Sequence, residues 1–259
     1  VKGACALLEV EDLVAGYEAG VPIVRGVALR ADRGELVAIL GPNGAGKSTL
    51  IKAIAGMVPL TSGRILVEGE DISAQPAHRR VHGGVAFVPQ TENVFATLSV
   101  SDNLRIAAQL LAAAQRAARI AMVYEMFADL ARQRSLAAGR LSGGQRQMLA
   151  VARALVVAPK LLLLDEPSAG LSPKAAAELF RKLSGIRQSG VGVVLVEQNV
   201  RAALAAADRA YVLVEGRNCR EGSCSDLAAD PQIGALYLGV RESLGAAPDA
   251  HGAATGPVS

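Results

Sequence analysis

Two stretches of this 259-residue chain hold residues spaced for work on phosphates. Residues 41–49 read GPNGAGKST, which fits the pattern G-x-x-x-x-G-K-[ST]. Gly41, Gly44 and Gly46 let backbone N–H groups face a phosphate with no Cβ in the way, and Pro42, Asn43 and Ala45 complete the loop. Lys47 adds a point charge for the β- and γ-phosphates, the Ser48 hydroxyl can ligate Mg²⁺, and Thr49 extends the cradle into a helix. Residues 161–167 read LLLLDEP, an apolar run whose end delivers two carboxylates to a sheet edge. Asp165 is placed to hold Mg²⁺ through water beside Ser48, and Glu166 to orient or deprotonate an attacking water. Singly, these could be a glycine turn with a chance Lys-Ser and an acidic helix cap. Together they predict a nucleoside triphosphatase.

A third stretch raises a question. Residues 141–145 read LSGGQ, followed by apolar residues at helical spacing: Met148, Leu149, Val151, Ala152 and Leu155. A Ser-Gly-Gly turn opening a helix can form an anion site from backbone N–H groups and the helix dipole. By itself Ser142 could equally be an ordinary N-cap. The chain would then hold two phosphate sites a hundred residues apart.

The elements that must position these residues are legible. Strands are expected in LLEVEDLVAGY and VRGVALRA, then in ELVAIL, a buried strand ending at a glycine turn. A helix should run from about 47 to 57, with strands at 64–68 and 85–88. Residues 99–157 are rich in Ala, Leu and Arg without strand signals and predict a helical insert. Strand signals return at 161–164, 191–196 and 210–214, between helical patterns. This alternation predicts an α/β fold with a mainly parallel sheet and helices on both faces. Residues from about 242 onward lack periodicity and are expected to be a disordered tail.

Composition narrows the class. Hydrophobic residues make up 51%, but no apolar run approaches the ~20 residues of a membrane helix. Lys+Arg 27 against Asp+Glu 24 leaves a net charge of only +3, which argues against a nucleic-acid binder. The N-terminal stretch has no long apolar region, so no signal peptide is expected. Cys5, Cys219 and Cys224 have no metal-ligand spacing and are expected to be free thiols in a reducing compartment.

A P-loop, a helical insert and LSGGQ shortly before LLLLDEP resemble the ATPase subunits of ABC transporters. The resemblance covers about residues 8–240. It implies a single ATPase domain over 1–240, with an N-terminal antiparallel β subdomain, a core over about 7–90 and 158–240, and a helical subdomain over about 91–157. It also implies two subunits stacked head to tail, so that Ser142, Gly143, Gly144 and Gln145 bind the γ-phosphate of ATP held by the neighbour. The second cradle would then serve the partner's nucleotide.

Further positions follow from the same resemblance. Tyr17 matches an aromatic that stacks on adenine, although a strand tyrosine can also be core. Gln90, in FVPQ, matches a glutamine that reaches toward Mg²⁺ and the water. Val94, Phe95 and Leu98 would form an apolar docking surface for a membrane partner, or else pack inside the insert. SAGLS at 168–172 lies where the family has an inter-subunit loop, with Ser172 in place of the usual Asp. Gln198 stands where most of the family has a histidine that contacts the γ-phosphate. An amide can donate a hydrogen bond but cannot become cationic. This chain's own ATP site is therefore slow, or glutamine is a working substitute.

The string LVEQN, with AADRAYVLVEGR, ALYLG at 235–239 and FVPQTENVFATLSVSDNL, resembles one branch. It is similar to the second ATPase of importers for branched-chain and related hydrophobic amino acids. That resemblance implies a different ATPase as partner, two membrane permeases, indirectly a substrate-binding protein, and a peripheral place on the cytoplasmic face of the cell membrane. Amide or urea importers, lipid exporters and soluble non-transport ATPases are the alternatives. A histidine would be expected at 198 in an export ATPase, and a doubled ATPase unit or a long coiled-coil insert in a soluble one.

Overall fold

The computed structural model describes residues 6–18 and 20–230. Cys5, ALYLG at 235–239 and the expected tail lie outside the described residues.

Two sheets organise the chain. The first is antiparallel, in the order β2-β1-β4-β5, from β1 (Leu8–Ala15), β2 (Val24–Ala31), β4 (Leu60–Val67) and β5 (Glu70–Asp71). β1 lies at its centre because its residues alternate between buried and partly exposed, as a half-buried strand requires. The second sheet has the order β10-β9-β3-β8-β7-β6. It comprises β3 (Leu36–Leu40), β6 (Val85–Val88), β7 (Leu161–Asp165), β8 (Gly192–Val196), β9 (Arg209–Val214) and β10 (Arg217–Ser223). All its pairings are parallel except β9 with β10.

β3, β7 and β8 are buried along their whole length, so both sheet faces are covered. Leu36, Ala38 and Leu40 point into one apolar cluster and Val37 and Ile39 into the other. The first cluster takes in α3 (Val100–Ala108), α6 (Gly143–Val156), α7 (Pro173–Gln188) and α8 (Val200–Ala206). The second takes in α1 (Lys47–Ile54) and the antiparallel sheet. The helical stretch is completed by α4 (Ala113–Met126), α5 (Ala128–Arg132) and a 3-10 turn at Ala138–Arg140.

Several elements differ from expectation. β4 begins at Leu60, four residues early, because Thr61 and Ser62 are polar and exposed and Gly63 follows them, so this part carries no apolar alternation. α2 (Ala77–His82) and α9 (Cys224–Ala229) are too short to show a helical period. β10 is mostly exposed and polar, so it carries no alternation; pairing with β9 makes it a strand. Tyr17 follows β1 instead of lying in it. Cys219 and Cys224 are free thiols, as expected.

Candidate functional site

The parallel strands end on one edge, where loops from β3, β6, β7 and β8 converge. The loop after β3 needs glycine at its first position for two reasons. Gly41 has φ 151, and a Cβ there would stand 2.3 Å from the Leu213 carbonyl oxygen of β9. Gly46, the N-cap of α1, has φ 92 and faces the Ile23 carbonyl, where a Cβ would come within 3.2 Å. Pro42, Asn43 and Gly44 are exposed, whereas Ala45, Lys47 and Thr49 are buried. The Lys47 ammonium donates to the loop's own carbonyls, Gly41 O at 2.9 Å and Pro42 O at 3.0 Å. Burial pulls its pKa down, against the charges of Glu166 and Asp165.

Asp165 ends β7 at 3% exposure and accepts a 2.8 Å hydrogen bond from the Ser48 hydroxyl. Burial pushes its carboxyl pKa up, while the Ser48 hydroxyl and Lys52, 3.9 Å away, oppose the shift. Glu166 follows with φ 46, its N–H donating to Val196 O at 3.0 Å. Its Oε2 accepts two side-chain amides, Gln90 Nε2 at 2.8 Å and Gln198 Nε2 at 2.8 Å. Residues just past β6, β7 and β8, distant in sequence, thus meet on one carboxylate oxygen. Oε1 has no protein donor among these contacts.

Tyr17 is 57% exposed, on a turn whose return arm brings Ile23 against Gly46. It is a surface ring and not a core tyrosine. Ser142 to Gln145 stand apart. Ser142 caps α6, accepting from the Gln145 N–H at 3.3 Å, while Gln145 Oε1 accepts from the Ser142 N–H at 3.0 Å. A Cβ on Gly144 would come 2.8 Å from Ala175 Cβ, so glycine lets α6 start against α7. Ser142, Gly144 and Gln145 border a cleft of about 300 Å³ with Phe127, Asp129, Glu178 and Lys182, and no residue of 41–49 lines it. Ser172 caps α7 ahead of Pro173 and accepts from Ala175 N at 3.3 Å, work that an Asp would also do.

The segment after Gln90 is mixed in character. Phe95 is 45% exposed, whereas Val94 packs against the core. Asn103, fully buried, holds Phe95 by both its backbone N–H (2.8 Å) and its carbonyl (3.0 Å). A groove beside it, lined by Phe87, Asn93, Ile106, Leu110 and Arg153, encloses about 460 Å³.

The family model for ABC transporters matches residues 24–169. The chain belongs to the ABC transporter family. Within it, this ATP-binding cassette is 40% identical over 235 residues to the probable branched-chain amino acid transport ATP-binding protein LivF of Archaeoglobus fulgidus, covering 90% of this chain and 99% of that one. Identity is 39% over 228 residues to the high-affinity branched-chain amino acid transport ATP-binding protein BraG of Pseudomonas aeruginosa, covering 88% and 98%. It is 38% over 237 residues to the lipopolysaccharide export system ATP-binding protein LptB of Escherichia coli, covering 90% and 98%. Among solved structures, the ADP conformation of the ATP-binding cassette MJ1267 superposes with a TM-score of 0.82 at 27% identity, covering 90% and 99%. The chain is therefore the ATP-binding, ATP-hydrolysing subunit of an ABC transporter. No helix among the described residues is long and apolar enough to cross a membrane.

Sequence reasoning missed part of the ABC cassette's site. Glu197 is 2% exposed and accepts from both the N–H and the hydroxyl of Ser168. Asn93 donates to Gln147 at 2.8 Å, tying the loop after Gln90 to the helix that begins at the LSGGQ turn. Arg153 stacks its guanidinium over the Phe95 ring, 4.6 Å from the centroid. The signal for Glu197 was present, since a carboxylate at the end of an all-buried strand needs donors. The partners of Asn93 and Arg153 have no sequence signal.

Proposed function

We propose that this ATPase powers import of branched-chain or related hydrophobic amino acids. The carrying observation is Gln198, in the string LVEQN, donating to Glu166 Oε2 at 2.8 Å. The relatives named for branched-chain amino acid transport support this reading.

In the proposed mechanism Tyr17 stacks on adenine, and residues Gly41 to Thr49 hold the phosphates through backbone N–H groups and Lys47. Lys47 reaches a phosphate oxygen by giving up one of its two loop carbonyls. Ser48 and Asp165, hard oxygen donors 2.8 Å apart, fit Mg²⁺. No described group of three or more His, Cys, Asp or Glu forms a full metal cage, which suits an ion completed by phosphates and water. When bound, Mg²⁺ supplies charge neutralisation at the β- and γ-phosphates. Glu166 uses Oε1 to orient the water and accept its proton, while Gln90 and Gln198 fix Oε2. Gln90 thus approaches the site through Glu166. Ser142, Gly143, Gly144 and Gln145 contact the γ-phosphate held by the second subunit, completing each site across the dimer.

The partners that follow are a second, different ABC ATPase, two membrane permeases and, indirectly, a substrate-binding protein, on the cytoplasmic face of the membrane. Exposed Phe95, Ile106 and Leu110 around the groove suit a permease segment. No nucleic acid is involved. The lipopolysaccharide-export relatives favour a second reading, an export ATPase.

Purification of the tagged chain from native membranes in mild detergent, with mass spectrometry and leucine uptake in vesicles, separates the two. Two permeases, a second ATPase and ATP-dependent uptake are expected. Lipid-export components without uptake would overturn the import reading and leave the ATPase chemistry standing.

A further inference from the structure

Glu197 is a buried acid that the mechanism above does not use. Its Oε1 accepts the Ser168 N–H at 2.9 Å and its Oε2 the Ser168 hydroxyl at 2.8 Å. Backbone N–H groups of Asn199 and Gln198 also favour its charged form, against the burial that disfavours it. A carboxylate surrounded by donors is satisfied only when ionised, and burying an ion is costly. The position of Ser168 supplies a reason for accepting that cost.

Ser168 lies two residues beyond Glu166, whose φ of 46 is a backbone region disfavoured for residues with a Cβ. Such a conformation persists only where its surroundings over-determine it. Here they do so reciprocally. The acid just past β7, Glu166, accepts from Gln198 just past β8, and the acid just past β8, Glu197, accepts from Ser168 just past β7. The Glu166 N–H to Val196 O bond lies between these two ties.

We propose that Glu197 is a positioning residue for ATP hydrolysis. By anchoring Ser168 to the turn that carries Gln198, it holds Glu166 in its left-handed backbone, with Oε2 between the amides of Gln90 and Gln198. The same clasp joins residues 168–172 to the Gln198 turn, so movement of one segment is felt by the other. This inference rests on the role proposed above for Glu166. The phosphate loop is held separately, by Gly41 against β9, so the clasp should govern turnover and leave nucleotide affinity alone.

The test uses the complex copurified from membranes, with ATP turnover, ADP affinity and Tm measured for E197Q, S168A, S168T and E166Q. Misplacing a reacting group by about 1 Å costs up to ~100-fold, so kcat of E197Q should fall about tenfold or more while KM and ADP affinity stay within about twofold. S168A should fall in the same direction, and S168T, which keeps the hydroxyl, should stay near wild type. The double variant E197Q/S168A should be no slower than E197Q alone. A structural brace alone would lower Tm and leave kcat unchanged in E197Q and S168A, which overturns the proposal. So would S168T as slow as S168A, or a loss of ADP affinity matching the loss of kcat. If E197Q does not fold, S168A and S168T decide. Full turnover by E166Q would instead refute the role given to Glu166, whereas an inactive E166Q beside a fully active E197Q refutes the clasp alone.

Discussion

Gln198→Ala removes one of two amide donors that converge on Glu166 Oε2. The donor sits 2.8 Å from the oxygen, and Glu166 is only 9% exposed, so water does not freely replace it. A hydrogen bond to a charged group contributes about 1.5–3 kcal/mol, and ~1.4 kcal/mol is tenfold in rate. Fully expressed in the transition state, the loss would slow turnover by roughly 10- to 150-fold. Gln90 still holds the same oxygen at 2.8 Å, so the lower part of that range, about 10- to 30-fold, is expected. Gln198→His keeps a donor at the end of β8 and adds a group able to carry positive charge, so it should match or exceed the wild type. The assay is single-turnover hydrolysis in the assembled complex at saturating Mg²⁺ and ATP. An Ala variant as fast as wild type would refute the reasoning, because the bond to Glu166 would then be incidental to chemistry. A His variant no faster than wild type would discard the idea that Gln198 makes this site slow.

Tyr17→Ala should weaken ATP binding by about 1–3 kcal/mol while leaving Tm unchanged, because the ring is exposed and holds no core; calorimetric titration checks it. Gly144→Ala should drive α6 from α7, since its Cβ would meet Ala175 Cβ at 2.8 Å; ATP binding to the single chain should survive while ATP-dependent dimerisation, read by light scattering, is lost. Ser48→Ala should raise the Mg²⁺ concentration for half-maximal turnover by roughly 10-fold or more, with nucleotide affinity in EDTA unchanged. Glu197 has a pKa raised by burial above the usual 4.5, so ionising it costs more in the folded chain than in the unfolded one. Its contribution to stability therefore falls as pH rises from 4.5 through the folded value, and E197Q escapes that loss. The Tm of E197Q relative to wild type should climb between pH 4.5 and pH 7, measured by thermal melts across that interval.

Much of the core could be read along the chain. LVAIL, LLLLD and GVVLV are apolar runs because both their faces are covered; LLLLD ends at Asp165, and the other two lead into Gly41 and into Glu197 and Gln198. β10 could not be read so, because its identity comes from pairing with β9 and not from its own RNCREGS pattern. Tyr17 looked like the end of a strand, yet Gly16 closes a turn there, where a Cβ would stand 2.4 Å from the Val21 carbonyl.

Sequence by itself determined the cradle, the two acids and the LSGGQ turn, because each is a local device. Glycines at fixed offsets, a carboxylate pair at a strand end and a serine N-cap depend on neighbours only a few residues away. Only the tertiary structure decided which side chains act together. Sheet order brings β7 beside β8 and β6, so Gln90, Glu166 and Gln198 meet although 76 and 32 residues separate the amides from the acid. The clasp of Glu197 on Ser168 crosses 29 residues by the same route. Hydrogen bonds fall away within a few tenths of an ångström, and the spacing of residues along a chain cannot specify distances that fine.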